Sequence, residues 1–204
     1  LSSSDFDYMI SWLRERYDIL DAQEYQSRFM SQTLKNTDIC LSFDDALKCQ
    51  YDIALSVLRK NNISAFFFVY SSAFSDNPDF LEIFRYFRIN KFDSVDEFYN
   101  YFFDFLIQND KDEYLSQQNQ YSSLDYLSAC PFYTENDKWF RYLRDQYLGN
   151  EKYTNVMLEI ISEKSFDINE AKKKLWLRED ELLKIHENGH VVGLHSYSHP
   201  TEMS

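Results

Sequence analysis

Two short stretches carry the residues whose types and spacing could do chemistry. The late one, GHVVGLHSYSHP, offers His195 and His199, four positions apart. The early one, ICLSFDDA, offers the adjacent carboxylates Asp44 and Asp45. Two imidazoles and one carboxylate form the ligand set of a catalytic zinc or a similar divalent ion, which keeps a coordination position open for water. A second carboxylate beside them is a candidate general base. The reaction class this set points to is metal-assisted hydrolysis.

Each piece also has a plainer meaning. An Asp-Asp pair can be a helix N-cap with a solvated neighbour. A single histidine is usually structural, and His186 and His190 read as packing or surface residues. Pro200 disfavours helical geometry at His199, so the two late histidines are expected on a strand-to-loop turn.

The elements that must position these residues are legible around them. Residues 38–43 read as a buried strand, with Ile39, Cys40, Leu41 and Phe43 apolar and little alternation. Leu47, Tyr51, Ala54, Leu55 and Leu58 then fit a helix over 46–61, stopped by Asn61-Asn62. Residues 63–70 form a second strand rich in aromatics. Strand, helix and strand in this order make a βαβ unit of a parallel sheet, whose sites gather at the carboxyl ends of the strands. Asp44 and Asp45 stand at such an end. They can share a site only if the strand gives way to a loop there, because adjacent strand residues point to opposite faces. Near the end of the chain, 177–188 reads as a helix capped by Gly189, and 190–194 as a short buried strand that delivers His195 to the same face. Upstream, Ser4 and Asp5 can cap a helix over 5–17, and 21–30 reads as another.

Residues 71–176 differ. Phe, Tyr, Asp, Glu, Asn and Gln dominate, and the periodicity is helical, with segments expected at 93–107, 111–118, 135–148, 151–164 and 169–175. This block reads as a helical insertion between strands. Its aromatic stripe could stack on sugar rings, but aromatics at i, i+3, i+4 are usually core.

Composition narrows the function classes. The net charge of −13 repels nucleic acid and anionic membrane surfaces. An aromatic share of 18% argues against disorder, and three Gly and three Pro argue for long helices rather than a turn-rich sandwich. The longest apolar run, 65–70, is too short for a membrane span of about 20 residues. Cys40, Cys49 and Cys130, odd in number and without a CxxC, read as free thiols, which together with the lack of a visible export signal gives a cytoplasmic expectation.

The phrases SFDDA (42–46), NISAFFFV (62–69) and GHVVGLHSYSHP (189–200), in this order, resemble the polysaccharide deacetylases, the NodB-homology group known as carbohydrate esterase family 4. The resemblance covers roughly 5–70 and 177–200 and implies an α/β fold, the N-terminal part of a distorted (β/α) barrel. It implies a partial deacetylase domain over 1–70 and 177–204 and a large helical insertion over 71–176. It implies removal of acetyl groups from an N-acetylated sugar or polysaccharide precursor. By matching motifs, Asp45, His195 and His199 would hold the metal, usually zinc, Asp44 would be the general base, and Ser196 would support the loop between the two histidines. The expected partner is an acetylated amino sugar.

The chain departs from the family pattern in three places. Ala46 stands where the family commonly has Gly, which changes the backbone freedom of that loop. The segment before the late motif is longer than usual. The later motifs, which supply an Arg, an Asp-Trp region and a catalytic-acid His, are not located before Ser204, so the chain is expected to be a fragment of a longer enzyme. Two further readings stay open: a non-catalytic carbohydrate-binding or assembly protein on a decayed deacetylase frame, and a hydrolase of non-sugar C–N bonds.

Overall fold

The structure is a computed structural model that describes residues 2–75 and 80–197. The chain is mixed α/β and divides into two compact units, one comprising Leu1–Asp79 and Lys172–Ser204, the other Phe80–Ala171.

The first unit is built on short parallel strands. Helix α1 (Ser3–Arg14) begins with a capping box in which Ser2 and Asp5 satisfy each other's backbone N–H, two residues earlier than the expected cap at Ser4. Strand β1 (Asp18–Ile19) and helix α2 (Ala22–Met30) follow. The single strand expected over 38–43 is two pieces, β2 (Asp38–Ile39) and β3 (Ser42–Asp44). They serve different neighbours: β2 pairs with β1, and β3 pairs with β4 (Phe66–Tyr70). After β3 comes a turn, then a π-helical stretch Gln50–Ala54 that leads into α3 (Leu55–Lys60). A short 3-10 turn, Ser71–Phe74, follows β4.

Among the described residues the strand pairings are parallel, and the three-stranded sheet runs β3-β4-β5, where β5 is Val191–Ser196. The described residues show small open sheets rather than a closed barrel. Register explains the core. Phe43 lies opposite Phe67 and stacks on it at 4.8 Å; Phe6 of α1 meets Phe43 edge-on at 5.9 Å; His190, just before β5, meets Phe67 edge-on at 5.2 Å. On the other face Phe66 and Phe68 stack at 5.7 Å, with Tyr25 of α2 against Phe66. Alternate aromatics of FFFVY thus serve two packed faces, which is why that strand lacks polar alternation.

Strand β5 corrects the expectation of a buried strand. Leu194 is 80% exposed and His195 is exposed as well. Among the described residues β5 is the edge of the sheet, so its far side has nothing to pack against.

The second unit is helical: α4 (Phe80–Lys91), α5 (Val95–Asn109), α6 (Lys111–Ser122), α7 (Glu135–Tyr142), a π-helical stretch Leu143–Leu148, and α8 (Gly149–Glu163). Helix α4 was not anticipated. The Phe and Tyr stripe is core: Phe98, Phe102 and Phe140 are fully buried and mutually in contact, with ring centroids 5.1–5.9 Å apart. The chain leaves this unit within α9 (Ile168–Leu175), and α10 (Glu179–Glu187) then precedes β5. No helix among the described residues is long and apolar enough to cross a membrane.

Candidate functional site

The early carboxylates sit on a turn whose backbone is pinned at three successive residues. Asp44, the last residue of β3, has its carbonyl bonded by the side-chain amide of Gln50. Asp45 donates its N–H to the Phe68 carbonyl at 3.0 Å. The Ala46 carbonyl accepts from the Leu177 N–H at 2.8 Å, beside a bridge between Leu47 and Trp176. The strand therefore ends at Asp44, and the chain turns through two left-handed residues, Asp45 at φ +75° and Ala46 at φ +55°. This break frees two adjacent carboxylates from opposite faces of a strand. Asp tolerates the left-handed region through its short polar side chain, but Ala46 holds it at a steric cost. The methyl of Ala46 is fully buried.

The two carboxylates occupy different surroundings. Asp44 is exposed, while Asp45 is half-buried with its Oδ1 shielded from solvent. Lys48 follows on the next turn and is paired with Asp52 and, at 2.9 Å, with the buried Glu181 of α10. Those pairs tie the Asp44–Asp45 turn to the helix that leads into β5.

His195 reaches the same end of the sheet through an irregularity. Val69 pairs with Leu194, but Tyr70 pairs with Ser196, so His195 is an extra residue on β5 with no counterpart on β4. Such a bulge re-aims a side chain relative to the regular pleat. The strand end is fixed beyond it, since the Ser72 N–H donates to the Tyr197 carbonyl at 2.9 Å. Asp44, Phe68 and Gly193 lie in one row across the three strands. Asp45 is one residue past that row on β3 and His195 two past it on β5, with the end of β4 between them. At about 4.8 Å per strand spacing, their backbones are about 10 Å apart, a span that an aspartate and a histidine can bridge through a shared ion.

Ser196 is the last residue of β5 and half-buried, inside the strand rather than in a loop. His199 lies outside the described residues. Among the described residues no group of three or more His, Cys, Asp or Glu is gathered as a metal site. The donor chemistry at this end of the sheet still suits a divalent ion, with a solvent-shielded carboxylate oxygen on one flanking strand and an imidazole on the other.

Several residues that hold this site escaped the sequence reading. Gln50 is one, a buried amide in an otherwise apolar helix face whose only signal was its polarity at a core position. Trp176 and Leu177 are others; Trp176 also packs edge-on to Tyr70 at 6.4 Å.

The opposite end of the strands is structural. A cavity of about 380 Å³ there is lined by Asp21, Arg59, Ser64, Asn188 and His190 among others. Its polar groups largely serve one another: Asp21 accepts from the Ser64 N–H, Arg59 donates to Asn188 Oδ1, and His190 Nδ1 accepts from the Ala65 N–H at 3.0 Å. His190 is therefore a neutral imidazole with an acceptor Nδ1. Burial, aided by the Arg59 charge and opposed by Asp21, holds its pKa below the ordinary 6.5.

Residues 31–86 match the polysaccharide deacetylase family model. The matched stretch contains Asp44, Asp45, β3 and β4, so the polysaccharide deacetylase signal falls on the strands that form this end of the sheet. The segment with His195 lies outside it. No curated protein and no solved structure gives a significant match to the chain.

Proposed function

We propose that the protein is a metal-dependent N-deacetylase that hydrolyses the acetamido group of an N-acetylated sugar or polysaccharide precursor. The family match across the Asp44–Asp45 turn carries this reading. The convergence of that turn with the His195 bulge at the carboxyl ends of parallel strands supports it. The strand order β3-β4-β5 with intervening helices agrees with the first part of a (β/α) barrel interrupted by the helical unit.

In this reading Asp45, His195 and His199 hold the ion, zinc being the best match to one carboxylate and two imidazoles. The ion supplies Lewis acidity toward the amide carbonyl and toward water. Asp44 does the proton work. Its exposed carboxylate adjoins the ligand Asp45 and takes the proton of the attacking water as the new C–O bond forms. The C–N bond then breaks, the amine nitrogen takes the proton that Asp44 had accepted, and acetic acid, which ionises to acetate, and a free amino sugar leave. The Gln50 bond to the Asp44 carbonyl and the Asp45 N–H bond to the Phe68 carbonyl keep both residues at fixed backbone positions through these steps.

Acetate release from an N-acetylglucosamine oligomer, measured for the wild type and for Asp44→Asn, is the test. The variant should lose about 10²–10⁴-fold in kcat, the usual worth of a general base. Equal release by both proteins would eliminate Asp44 as the base and, with it, this mechanism.

A further inference from the structure

The helical unit contains a groove of about 280 Å³ that nothing above uses. It lies where the end of α5 and the start of α6 face the π-helical stretch and α8. Its floor is apolar, formed by Leu106, Leu148 and Val156, and the ring of the half-buried Tyr147 stands beside them. Its rim is polar: Lys152, Asn155 and Glu159 share one face of α8 at helical spacing. Among the described residues, the side chains of Tyr147, Lys152, Asn155 and Glu159 make no hydrogen bond or ion pair.

Local backbone geometry opens this groove. The π-helical stretch widens the helix by one residue and ends at Gly149, whose φ is +66° and around whose Cβ position nothing lies within 4 Å. A π turn breaks the regular packing of a helix, and such turns recur at functional sites. Burial, with the Glu113 and Asp110 charges, raises the Tyr147 pKa, so its hydroxyl is a proton donor at neutral pH.

The chemistry selects a ligand class. An apolar floor with an aromatic wall suits a flat, partly apolar ring. Donors on Lys152 and Tyr147, an acceptor on Glu159 and both on Asn155 suit a ring edged with hydroxyl and amide groups. A wholly apolar ligand would leave that rim unpaired. An anionic ligand would meet Asp110 and Glu159 against the single cation Lys152. We infer that this groove is a saccharide-binding subsite that holds one residue of an uncharged, N-acetylated sugar chain. Its size, just under the usual small-molecule range of about 300–1,000 Å³, suits a single ring. The inference rests on the deacetylase reading for its choice of sugar, and it adds a second place where the substrate chain is held.

Amide-shift NMR of the whole chain, titrated with the N-acetylglucosamine tetramer, tests it. Saturable shifts are expected at Tyr147, Asn155 and Val156. Tyr147→Ala should weaken the affinity read from those shifts about tenfold, as the stacking and contact area are lost. Tyr147→Phe, which keeps the ring, should stay within about threefold, and Asn155→Ala should also weaken binding. Each variant's own spectrum reports whether it is folded. Shifts restricted to residues 2–75 and 172–197, no shifts at all, or unchanged affinity in both alanine variants would overturn the subsite. Acetate release on the monomeric sugar separates the two readings. It should fall about 10²–10⁴-fold in Asp44→Asn while that variant keeps the wild-type tetramer shifts at Tyr147, Asn155 and Val156, so loss of the groove and loss of the catalytic assignment are distinct results.

Discussion

Gly193 lies directly against the ring of Phe68: a Cβ added at position 193 would stand 2.9 Å from both Cδ1 and Cε1 of that ring. The two residues are registered partners in the row that also contains Asp44. The absence of a side chain at 193 thus lets β5 approach β4 closely, two residues before the His195 bulge.

Gly193→Ala is therefore expected to destabilise the protein by about 1–3 kcal/mol, the usual cost of overpacking. Phe68→Ala in the same chain should remove the clash. Urea denaturation of the single and double variants checks this, and the coupling should be favourable, so that the double variant loses less than the sum of the two singles. Strict additivity would mean the close approach has no energetic consequence.

The strained turn gives a second expectation. Ala46 occupies the left-handed region, a cost of about 1–2 kcal/mol that Gly would not incur. Gly would forfeit a buried methyl worth about 0.8 kcal/mol and a more restricted unfolded chain. These terms nearly cancel, so Ala46→Gly should lie within about 1 kcal/mol of wild type, whereas the β-branched Ala46→Val should be strongly destabilising. Denaturation midpoints of the two variants decide it.

How much of this was legible in the sequence follows from what each signal encodes. The apolar run around Phe67 identified a buried strand because both faces of β4 are packed, whereas in β3 only the Phe43 side is covered and Ser42 and Asp44 are exposed. The same logic failed for β5: VVGL has the composition of a buried strand, yet Leu194 is exposed, since apolar residues record a capacity for burial and not the presence of a covering element. The expected strand over 38–43 divided at Cys40 and Leu41 because its two ends pair with different partners, a tertiary fact. The loop required to bring Asp44 and Asp45 together was foreseeable from the chemistry alone. Its cause, two left-handed residues tied to Phe68 and Leu177, was not, because those bonds join segments distant in the chain. Helix α4 was missed because its aromatics, Phe80, Phe84 and Phe87, are as strand-like in type as they are helical in spacing.

The helical unit offers a test of the core reading. Phe140 touches the rings of Phe98, Tyr99, Phe102 and Tyr153 at 5.0–6.1 Å. Phe140→Ala should cost about 3–5 kcal/mol, and amide exchange in α5 should accelerate accordingly. Retained protection in α5 would show that this cluster does not hold the unit together.

His190 predicts a pH dependence. Its folded pKa lies below 6.5, so below that pH the unfolded chain takes up a proton that the folded protein resists. Stability should be fully present above about pH 6.5 and fall as the pH drops toward the depressed value. The carboxylates held below their ordinary 3.8, among them Asp38 and Asp137, act in a separate and more acidic window. Comparing wild type with His190→Asn at pH 8 and pH 5.5 isolates the effect. The variant should be less stable at pH 8, having lost the ring that packs edge-on to Phe67, and should lose less on acidification.

The central claim is that the Asp44–Asp45 turn and the His195 bulge serve one metal ion. Elemental analysis of the purified protein after dialysis against zinc, beside Asp45→Ala and His195→Ala, tests it most directly. About one ion per wild-type chain is predicted, with loss of that ion in each variant while the fold is retained. Metal content unchanged in either variant, or a wild type that retains no ion, would contradict the account.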